Sequence, residues 1–315
     1  DGISTKGKLA GGVKKLIFEW AEGLAFEWQP DGANGGFYEF KLGIADKLVY
    51  SKVRAALGLE SIKAVASGSA ALQPRLAQFF NAIGIPVLEG YGLTETSPVI
   101  TVNTIRKPNM IRIGYVGKVI KDVEIKIAED GEILSKGPNV MMGYYKDEVK
   151  TNEVLKDGWF HTGDIGQIDN DFLKITDRKK EMFKTSGGKY VAPQLLENSL
   201  KASHLIEQLM VIGEGRKFPS ALIVPSADGV KEYCRRKDIP YTSHAEMLKN
   251  DKIVAKIKRD VAKANSEYGS WEQIKKYELL AVPFTIDGGE LTPTLKLKRK
   301  PIKEKYKDLI ESIYA

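Results

Sequence analysis

Apolar residues recur at helical spacing near the start of the chain. In the segment GGVKKLIFEWAEGLAFEW, residues 11–28, they lie three or four positions apart, between lysines and acids. This spacing predicts an amphipathic helix, and we expect residues 1–59 to be largely helical. The apolar face of this helix either packs on another part of the protein or lies on a membrane surface, and the pattern leaves both open.

After residue 60 the pattern changes to short apolar runs separated by small residues. A strand at Ile62–Ala66, a turn at Ser67–Ala70, a helix at Gln73–Ile83 and a second strand in the segment IPVLEG are predicted in that order. Strand–helix–strand alternation is typical of a parallel sheet, in which ligands bind near the carboxyl ends of the strands.

Residues 111–177 show the alternation of antiparallel β structure. Apolar and polar residues alternate from Val123 to Ile127, and the pattern resumes at Ile133 after an Asp-Gly pair, which predicts a β-hairpin. We therefore expect a small β subdomain at 111–177, attached to a larger domain to which residues 1–110 belong.

Residues 178–315 predict a separate α+β domain. Its predicted elements are a helix opened by Pro193, strands at Leu209–Ile212 and Ser220–Val224, helices near 227–237 and 243–268, a strand near 277–284 and a last helix from Ile302. The fold class is therefore α/β, with part of a β-α-β sheet, a β subdomain and an α+β domain at the C-terminus.

Charge and cysteine content limit which partners and which compartment we expect for the protein. The chain has 48 Lys and Arg against 41 Asp and Glu, a net charge of +7, which suits anionic partners such as nucleotides, coenzyme phosphates or lipid headgroups. Because the basic residues are dispersed and no known motif is present, we expect no nucleic-acid binding. The one cysteine, Cys234, forms no internal disulfide and favours a reducing compartment.

The segment EGYGLTETSP follows the second predicted strand directly. Gly90 and Gly92 allow turns and a close approach of the backbone to a ligand, and Tyr91 between them is placed to lie against a base. Thr94 offers a hydroxyl to a phosphate oxygen, and Glu95 offers the kind of oxygen ligand that Mg²⁺ prefers. The alternative is a plain turn with an exposed acid.

Two later segments carry further candidate ligands. In GWFHTGDIGQID, Asp164 sits on a predicted Thr-Gly-Asp turn, from which it either accepts both hydroxyls of a ribose or merely caps the turn. In DRKKEMFKTSGGK, Arg178 is a permanent cation with a planar fork suited to ribose or phosphate oxygens. The small-residue loop TSGGK does not fit the spacing of a phosphate-binding loop and is equally compatible with a plain hairpin.

In combination, these segments resemble the adenylate-forming superfamily, and most closely its long-chain fatty acyl-CoA synthetase branch. The resemblance runs from about Leu42 to Tyr314. It is carried by GYGLTETSPVI, GYVGKVI, GEILSKGPNVMMGYY, GWFHTGDIG, ITDRKKEMFKTSGGKYVAPQLLE, EQLMVIGEGRKFPSALIVP and ELTPTLKLKRK.

The resemblance implies an activity and a set of site residues. Enzymes of this superfamily use Mg²⁺ and ATP to activate a carboxylic acid as an acyl-adenylate, then transfer the acyl group to coenzyme A. By resemblance, Ser69 and Ala70 would line the adenine with Tyr91, and Gly90 and Gly92 would be cofactor-binding residues beside it. Thr94 would touch the α-phosphate, Glu95 would bind Mg²⁺, and Asp164 with Arg178 would hold the ribose.

The resemblance also implies a mobile C-terminal domain that serves the two half-reactions in turn. Its hinge would be Lys180, and the loop with Ser186, Gly187 and Gly188 would face the coenzyme A channel in the second step. Aligning the superfamily segment S-G-K-I-x-R on TLKLKR makes Lys296 the lysine that reaches the α-phosphate and the carboxylate. The long-chain branch has leucine in place of glycine before this lysine, as this chain does at Leu295.

One family element is absent from the sequence. Nothing in residues 1–90 resembles the upstream phosphate loop T-S-G-T-T-G-x-P-K. We therefore expect the chain to be the C-terminal half of such an enzyme, inactive or nearly so alone, with the N-terminal half as its missing partner.

Alternatives remain at this point. The acyl acceptor is either coenzyme A or a carrier protein, and the chain is alternatively a non-catalytic module that binds nucleotide or membrane. We expect a cytoplasmic location, with peripheral contact at the inner face of the membrane left open.

Overall fold

The computed structural model describes Ile3, Gly7 and residues 11–315 of the chain. It divides into two compact units, Asp1–Ile175 (unit 1) and Thr176–Ala315 (unit 2). The predicted boundary lies two residues later, before Arg178. No helix in the described part of the chain is long and apolar enough to cross a bilayer.

Residues 13–57 of unit 1 are largely helical, as expected, but the helical stretch is interrupted. A 3-10 turn at Pro30–Gly32 and a π-helical turn at Asp46–Tyr50 divide it. From residue 11 onwards, the helices of unit 1 are α1 (Val13–Glu27), α2 (Gly36–Ala45), α3 (Ser51–Leu57), α4 (Pro74–Ala82) and α5 (Glu148–Val154).

Helix α1 is held to unit 1 by one face. Ala21, Leu24 and Ala25 on this face are buried. Two buried tyrosines fasten it, because the Tyr38 hydroxyl donates to the Leu24 carbonyl and the Tyr50 hydroxyl donates to the Ala21 carbonyl, both at 2.6 Å. Burial raises the pKa of Tyr38 to about 12, so this hydroxyl stays a donor at neutral pH. The helix therefore packs on the protein along one side.

Unit 1 contains two sheets. The strands are β1 (Val65–Ser67), β2 (Val87–Gly92), β3 (Val99–Val102), β4 (Lys118–Val119), β5 (Glu124–Ile127), β6 (Glu132–Lys136), β7 (Leu155–Lys156), β8 (Trp159–Asp169) and β9 (Phe172–Arg178). The first sheet has the order β1-β2-β3-β4, and the second has the order β5-β6-β8-β7 with β9 also paired to β8.

The first sheet is parallel only between β1 and β2, where Val65 pairs with Val87, and the pairs β2–β3 and β3–β4 are antiparallel. The expectation of a parallel sheet was thus right for one pair. The predicted hairpin is confirmed, since β5 and β6 pair antiparallel around Gly131, a turn residue with φ of 85°.

Unit 2 contains a three-stranded sheet that is covered on both faces, and a separate two-stranded hairpin. Its strands are β10 (Phe183–Lys184), β11 (Tyr190–Val191), β12 (Ile206–Ile212), β13 (Ser220–Pro225) and β14 (Lys276–Leu279). Its helices are α6 (Pro193–Leu200), α7 (Ala227–Arg236), α8 (His244–Met247), α9 (Asp251–Asn265), α10 (Arg299–Lys305) and α11 (Lys307–Tyr314). β13 pairs antiparallel with β12 and parallel with β14.

Strand β12 shows why both faces of this sheet are covered. Leu209 and Val211 belong to one buried cluster, while Met210 and Ile212 between them belong to another. Since successive side chains of a strand point to opposite faces, a continuous apolar strand needs packing on both sides.

The long helix predicted at 243–268 is wrong in one respect. It is broken into α8 and α9, and the Asn250 side chain caps α9 by accepting a hydrogen bond from Lys252 N at 3.0 Å.

Candidate functional site

The loop with Ser69 and Ala70 lies beside strand β2. Ser67 at the end of β1 pairs with Glu89, and a Cβ built on Gly68 would be 3.5 Å from the Gly90 carbonyl oxygen. Ser69 has a φ of 66°, and both Ser69 and Ala70 are exposed. The two segments predicted to line the adenine are therefore neighbours in the fold.

Glu89 ties this loop to the sheet. It is buried, and burial raises its pKa to about 7 although backbone hydrogen bonds with Leu72 and Gly114 lower it. The carboxyl group thus connects the loop after β1, strand β2 and the segment around Gly114.

The Gly-Tyr-Gly segment is part of strand β2 and not the predicted turn. A Cβ built on Gly92 would lie 1.6 Å from the Pro98 carbonyl oxygen, and one on Gly90 would lie 3.3 Å from the Thr101 carbonyl oxygen. The glycines are required because the chain returns closely past this strand on its way into β3, and not because the backbone is left-handed.

Tyr91 and Asp164 are joined directly. The Tyr91 hydroxyl donates to Asp164 Oδ2 at 2.7 Å, and both residues are buried. The two residues are separated by 73 positions along the chain. This bond brings the predicted adenine and ribose ligands of unit 1 into one site, while their contacts with a nucleotide stay predictions.

Asp164 lies in strand β8 at a bulge, and not on the predicted turn. The pairing of β6 with β8 shifts between Glu132 and Leu134, and Gly163 in the bulge has a φ of 73°. Asp164 is buried, as are Phe160, Thr162 and Gly166 at alternate positions of the same strand.

Glu132 holds the bulge from the neighbouring strand. Its buried carboxylate accepts a hydrogen bond from Gly163 N at 2.8 Å and lies 3.1 Å from His161 Nδ1. The Thr162 hydroxyl donates to the Ile133 carbonyl at 2.7 Å. The position of Asp164 therefore depends on the hydrogen bonds that the two preceding residues, Thr162 and Gly163, make with strand β6.

Thr94 and Glu95 begin a short 3-10 helix, Thr94–Thr96, directly after β2. Thr94 is exposed and Glu95 is half-buried. Tyr144 orients Glu95, because its hydroxyl donates to Glu95 Oε1 at 2.8 Å, and burial together with this bond raises the pKa of Tyr144 to about 12. The Glu95 carbonyl accepts a hydrogen bond from Met141 N at 2.8 Å.

These contacts fit the predicted magnesium role of Glu95. No group of three or more His, Cys, Asp or Glu able to hold a metal occurs among residues 11–315, Ile3 and Gly7. A single carboxylate suits Mg²⁺ where substrate phosphates and water complete its coordination. Tyr144 occupies one oxygen of Glu95 and leaves Oε2 for such a role.

Arg178 and Lys180 lie in unit 2 at the end of β9. Both side chains are exposed, and Glu181 N and Met182 N donate to the Arg178 carbonyl at 2.9 and 3.0 Å, which closes a turn with Lys180 at its tip. Before this turn, the buried Asp177 accepts from Arg178 N at 2.6 Å and from Gln194 N in the first turn of α6 at 3.1 Å. The residue before the predicted hinge is thus held in place by the hydrogen bonds of Asp177.

The TSGGK segment is the loop of a hairpin between β10 and β11. Ser186 N donates to the Arg216 carbonyl at 2.8 Å, Gly188 has a φ of 75°, and Lys189 N donates to the Thr185 hydroxyl at 3.3 Å. Ser186, Gly187 and Gly188 are all exposed. Their role in a coenzyme A channel stays a prediction.

Lys296 lies on a tight loop and is exposed. Thr292 closes this loop, since its backbone N donates to the Lys296 carbonyl at 2.8 Å and its hydroxyl accepts from Lys296 N at 3.0 Å. Leu295, which stands where the commoner superfamily form has glycine, has a φ of 60°. The backbone at this position keeps the conformation that glycine favours although the residue has changed.

Arg299, three residues after Lys296, anchors the loop in unit 2. Its guanidinium binds Glu197 through Nη1 at 2.8 Å and Nη2 at 3.0 Å, and its Nε binds Glu181 at 3.1 Å. Burial raises the pKa of Glu197 although the Arg299 charge lowers it. A bidentate pair of this kind fixes both position and orientation.

Sequence reasoning missed the buried residues that position the others. These are Glu89, Glu132, Tyr144, Asp177 and the pairing of Glu197 with Arg299. Each is an ordinary polar residue in its segment. For Glu89 and Glu132 the sequence offered one signal, which is an acidic residue directly beside an apolar run that predicts a buried strand.

Models of known families match both units. The description "AMP-binding enzyme" matches residues 37–145, and "AMP-binding enzyme C-terminal domain" matches residues 180–315. The long-chain-fatty-acid--CoA ligase FadD15 of Mycobacterium bovis is 40% identical over 306 residues, which cover 96% of this chain and 50% of the relative. The chain spans about half the length of the curated relatives it matches.

Solved structures share the fold of this chain. The adenylation domain of a carboxylate reductase from Mycobacterium chelonae aligns with a TM-score of 0.64 at 23% identity, covering 95% of this chain and 45% of that one. The O-succinylbenzoate coenzyme A synthetase of Bacillus subtilis, in complex with ATP and magnesium ion, aligns with a TM-score of 0.57 at 26% identity, covering 78% of this chain and 47% of that one. The predicted fold class is confirmed.

Proposed function

Because the chain belongs to the AMP-binding enzyme family, we propose that it is the C-terminal half of an enzyme that joins a long-chain fatty acid to coenzyme A with the use of ATP. The observation that carries this proposal is the buried hydrogen bond between Tyr91 and Asp164, which unites two motifs of the family in one site. The likeness to long-chain-fatty-acid--CoA ligases supports the substrate class.

In the first half-reaction a carboxylate oxygen of the fatty acid attacks the α-phosphorus of ATP. The bond from this phosphorus to the bridging oxygen breaks, and pyrophosphate leaves. Tyr91, with Ser69 and Ala70, lines the adenine, and Asp164 with Arg178 holds the ribose. Thr94 donates to an α-phosphate oxygen, and Lys296 neutralises charge on the phosphate and the carboxylate. Such catalysis rests on positioning and charge neutralisation, and no protein nucleophile is required.

Glu95 is the residue that would hold Mg²⁺. When bound, the ion neutralises charge on the phosphate oxygens. Tyr144 keeps the Glu95 carboxylate oriented through its hydrogen bond to Oε1, so that the second oxygen is available.

In the second half-reaction the thiol of coenzyme A attacks the acyl carbon, loses its proton, and AMP leaves. The C-terminal unit turns about Lys180 between the two steps, and the loop with Ser186, Gly187 and Gly188 then borders the pantetheine. The turn at Arg178–Met182 supports this hinge, because the side chains of residues 178–180 are exposed.

The chain alone is expected to lack turnover. It spans about half of its curated relatives, and the phosphate loop that such enzymes need has no counterpart in residues 1–90. Without this loop, the nucleotide site lacks the groups that such enzymes use to bind the outer phosphates of ATP.

Fatty-acid-dependent exchange of pyrophosphate into ATP tests the proposal. We expect no exchange above background from the 315-residue chain, and exchange with oleate once the preceding half is supplied. An acceptor screen with coenzyme A and a carrier-protein thiol then identifies the second substrate. Robust exchange by the chain alone would refute the half-enzyme proposal, and transfer only to the carrier would refute the coenzyme A assignment.

We propose a cytoplasmic location with peripheral contact at the inner face of the membrane. The single cysteine, Cys234, is buried and free, which suits a reducing compartment. Exposed Val13, Leu16 and Trp20 on α1 support an apolar contact. Fractionation of cells after mild and high-salt washing tests it, and recovery of all the enzyme in the soluble fraction at low salt would exclude membrane contact.

A further inference from the structure

A basic groove lies in unit 2 between helices α7 and α9. Its volume is about 740 Å³, and its side walls carry the cations Lys237, Lys252, Lys258 and Arg259. Its remaining lining residues are Tyr233, Ala255 and Ala262, so that no acid lines it.

The four cations of this groove have no carboxylate partners among the residues that the structure describes, although other cations on the same helices do. Arg235 and Arg236 on α7 pair with Glu232 at 2.8 and 3.3 Å. Lys256 on α9 pairs with Asp260, which also accepts a hydrogen bond from Ser203 at 2.6 Å. These acids of the two helices are therefore committed outside the groove.

The spacing of residues on α9 explains the shape of the groove. Lys252, Ala255, Arg259 and Ala262 lie three or four positions apart and share one face of the helix. The alanines leave room between the longer cationic side chains. The opposite face carries Ile253 and Ile257, which are fully buried in the core, so the helix holds the cations on a fixed frame.

We propose that this groove binds a phosphorylated anion, with the cations on the phosphate oxygens and the Tyr233 ring beside them. Four positive charges around one concave surface favour a ligand with two or more negative charges, and Lys and Arg are the side chains that bind phosphate oxygens. The site is separate from the residues assigned to ATP and coenzyme A above, and the proposal does not depend on the proposed function.

Calorimetric titration of the 315-residue chain with inorganic pyrophosphate tests the site. The double variant Lys258→Gln/Arg259→Gln removes two of the four groove cations. We expect it to bind at least about tenfold more weakly, since each charge-assisted contact is worth roughly a factor of ten. The matched control is Arg235→Gln/Arg236→Gln, which removes two cations of α7 outside the groove and should bind as the unchanged chain does.

A second arm distinguishes a free phosphate from a lipid headgroup. Co-sedimentation is measured with vesicles of phosphatidylcholine alone and with phosphatidic acid added. Binding that is lost in Lys258→Gln/Arg259→Gln depends on the groove. If binding of pyrophosphate depends on the groove, the ligand is a soluble phosphate. If only binding of the phosphatidic acid vesicles depends on it, the ligand is a lipid phosphate. Absence of both at millimolar concentration, or an equal loss in the control variant, would overturn the proposal. Thermal unfolding of each variant verifies that the fold is retained.

Discussion

The exposed leucine before Lys296 has a backbone conformation that suits glycine. Leu295 has a φ of 60° and is 69% exposed, so its side chain gains little from burial. The left-handed region costs a residue with a Cβ about 1–2 kcal/mol, while glycine loses about 0.4–1 kcal/mol through the entropy of the unfolded chain.

We therefore expect Leu295→Gly to raise the free energy of unfolding of unit 2 by up to about 1.6 kcal/mol. Leu295→Ala keeps the strain and should change stability little. Urea unfolding followed by a probe in unit 2 measures both. A clear destabilisation by glycine would mean that the leucine side chain makes a contact that outweighs the strain.

Lys296 is the residue on which the adenylation step depends most in this proposal. In an enzyme extended to full length, Lys296→Ala should lower the rate of adenylate formation about a hundredfold or more, as expected for the loss of a charge at the transition state. Thioester formation from supplied acyl-adenylate should be largely unchanged.

Lys298→Ala is the matched control, because Lys298 is an exposed lysine two positions away and has no assigned role. Single-turnover measurements of both half-reactions separate the outcomes. An equal fall in both half-reactions would mean that Lys296 has a different role, and an equal effect of Lys298→Ala would mean that only the total charge of the loop matters.

Glu89 makes the stability of unit 1 depend on pH. Its pKa is raised from 4.5 to about 7 by burial, so the folded chain keeps a proton between these pH values that the unfolded chain has released. Stability therefore falls as the pH rises through this window, by at most about 1.4 kcal/mol per pH unit. Glu89→Gln removes this titration and should flatten the dependence.

Urea unfolding of unit 1 across this window measures the slope for the unchanged chain and for Glu89→Gln. Glu129→Gln, at an exposed glutamate, should leave the slope as it is. Burial also raises the pKa of Asp177 to about 6, so the stability of unit 2 falls with pH in the same direction. This effect is the same in the unchanged chain and in both variants. Identical slopes for Glu89→Gln and the unchanged chain would exclude Glu89 as the source.

At the scale of elements, the pairing of β2 with the returning chain depends on Gly92. A Cβ there would meet the Pro98 carbonyl oxygen at 1.6 Å, a backbone atom that cannot move without separating β2 from β3. We expect Gly92→Ala to destabilise unit 1 by more than about 3 kcal/mol. Circular dichroism during urea unfolding measures the loss.

Gly23→Ala provides the contrast. Gly23 is in helix α1, where a Cβ would meet no atom within 4 Å, and alanine is favoured over glycine in a helix by about 0.8–1 kcal/mol. This variant should be as stable as the unchanged chain or more so. Similar losses in both variants would indicate a general intolerance of unit 1 and not the close approach at Gly92.

The elements that the sequence predicts well are those whose pattern is local. The helix α4, the hairpin of β5 and β6 and the two strands β12 and β13 follow from periodicity and turn residues within a few positions. Strand β1 was expected at Ile62–Ala66 but forms at Val65–Ser67, because its position is fixed by pairing with β2. Long-range pairing leaves no local periodicity to detect.

At the scale of the whole molecule, the order of the motifs predicted which residues belong to the site. It did not predict the hydrogen bonds that hold these residues in position. Tyr91 and Asp164 were both predicted ligands, whereas their direct hydrogen bond was not. The bulge at Gly163 and its partner Glu132 belong to different strands. Such contacts depend on the register between strands, which the spacing of motifs does not contain.

Unit 1 exposes a row of apolar side chains along one helical face. Phe37, Phe40, Ile44 and Leu48 lie three or four positions apart along one helical face, and their exposed fractions are 73%, 64%, 38% and 45%. Large contiguous apolar patches are uncommon on monomeric proteins. Since the chain spans about half of its curated relatives, we propose that the other half packs on this face.

The isolated chain should therefore self-associate with increasing concentration and bind an apolar dye, and both effects should decrease when the preceding half is co-expressed. Phe37→Ser/Phe40→Ser should weaken self-association of the isolated chain and also the recovery of the two halves as a complex. Leu57→Ser/Val282→Ser, which alters two exposed apolar residues elsewhere, should do neither. Sedimentation velocity measures the association. A monomeric isolated chain, or a complex that tolerates both phenylalanine changes, would show that this face is not where the other half packs.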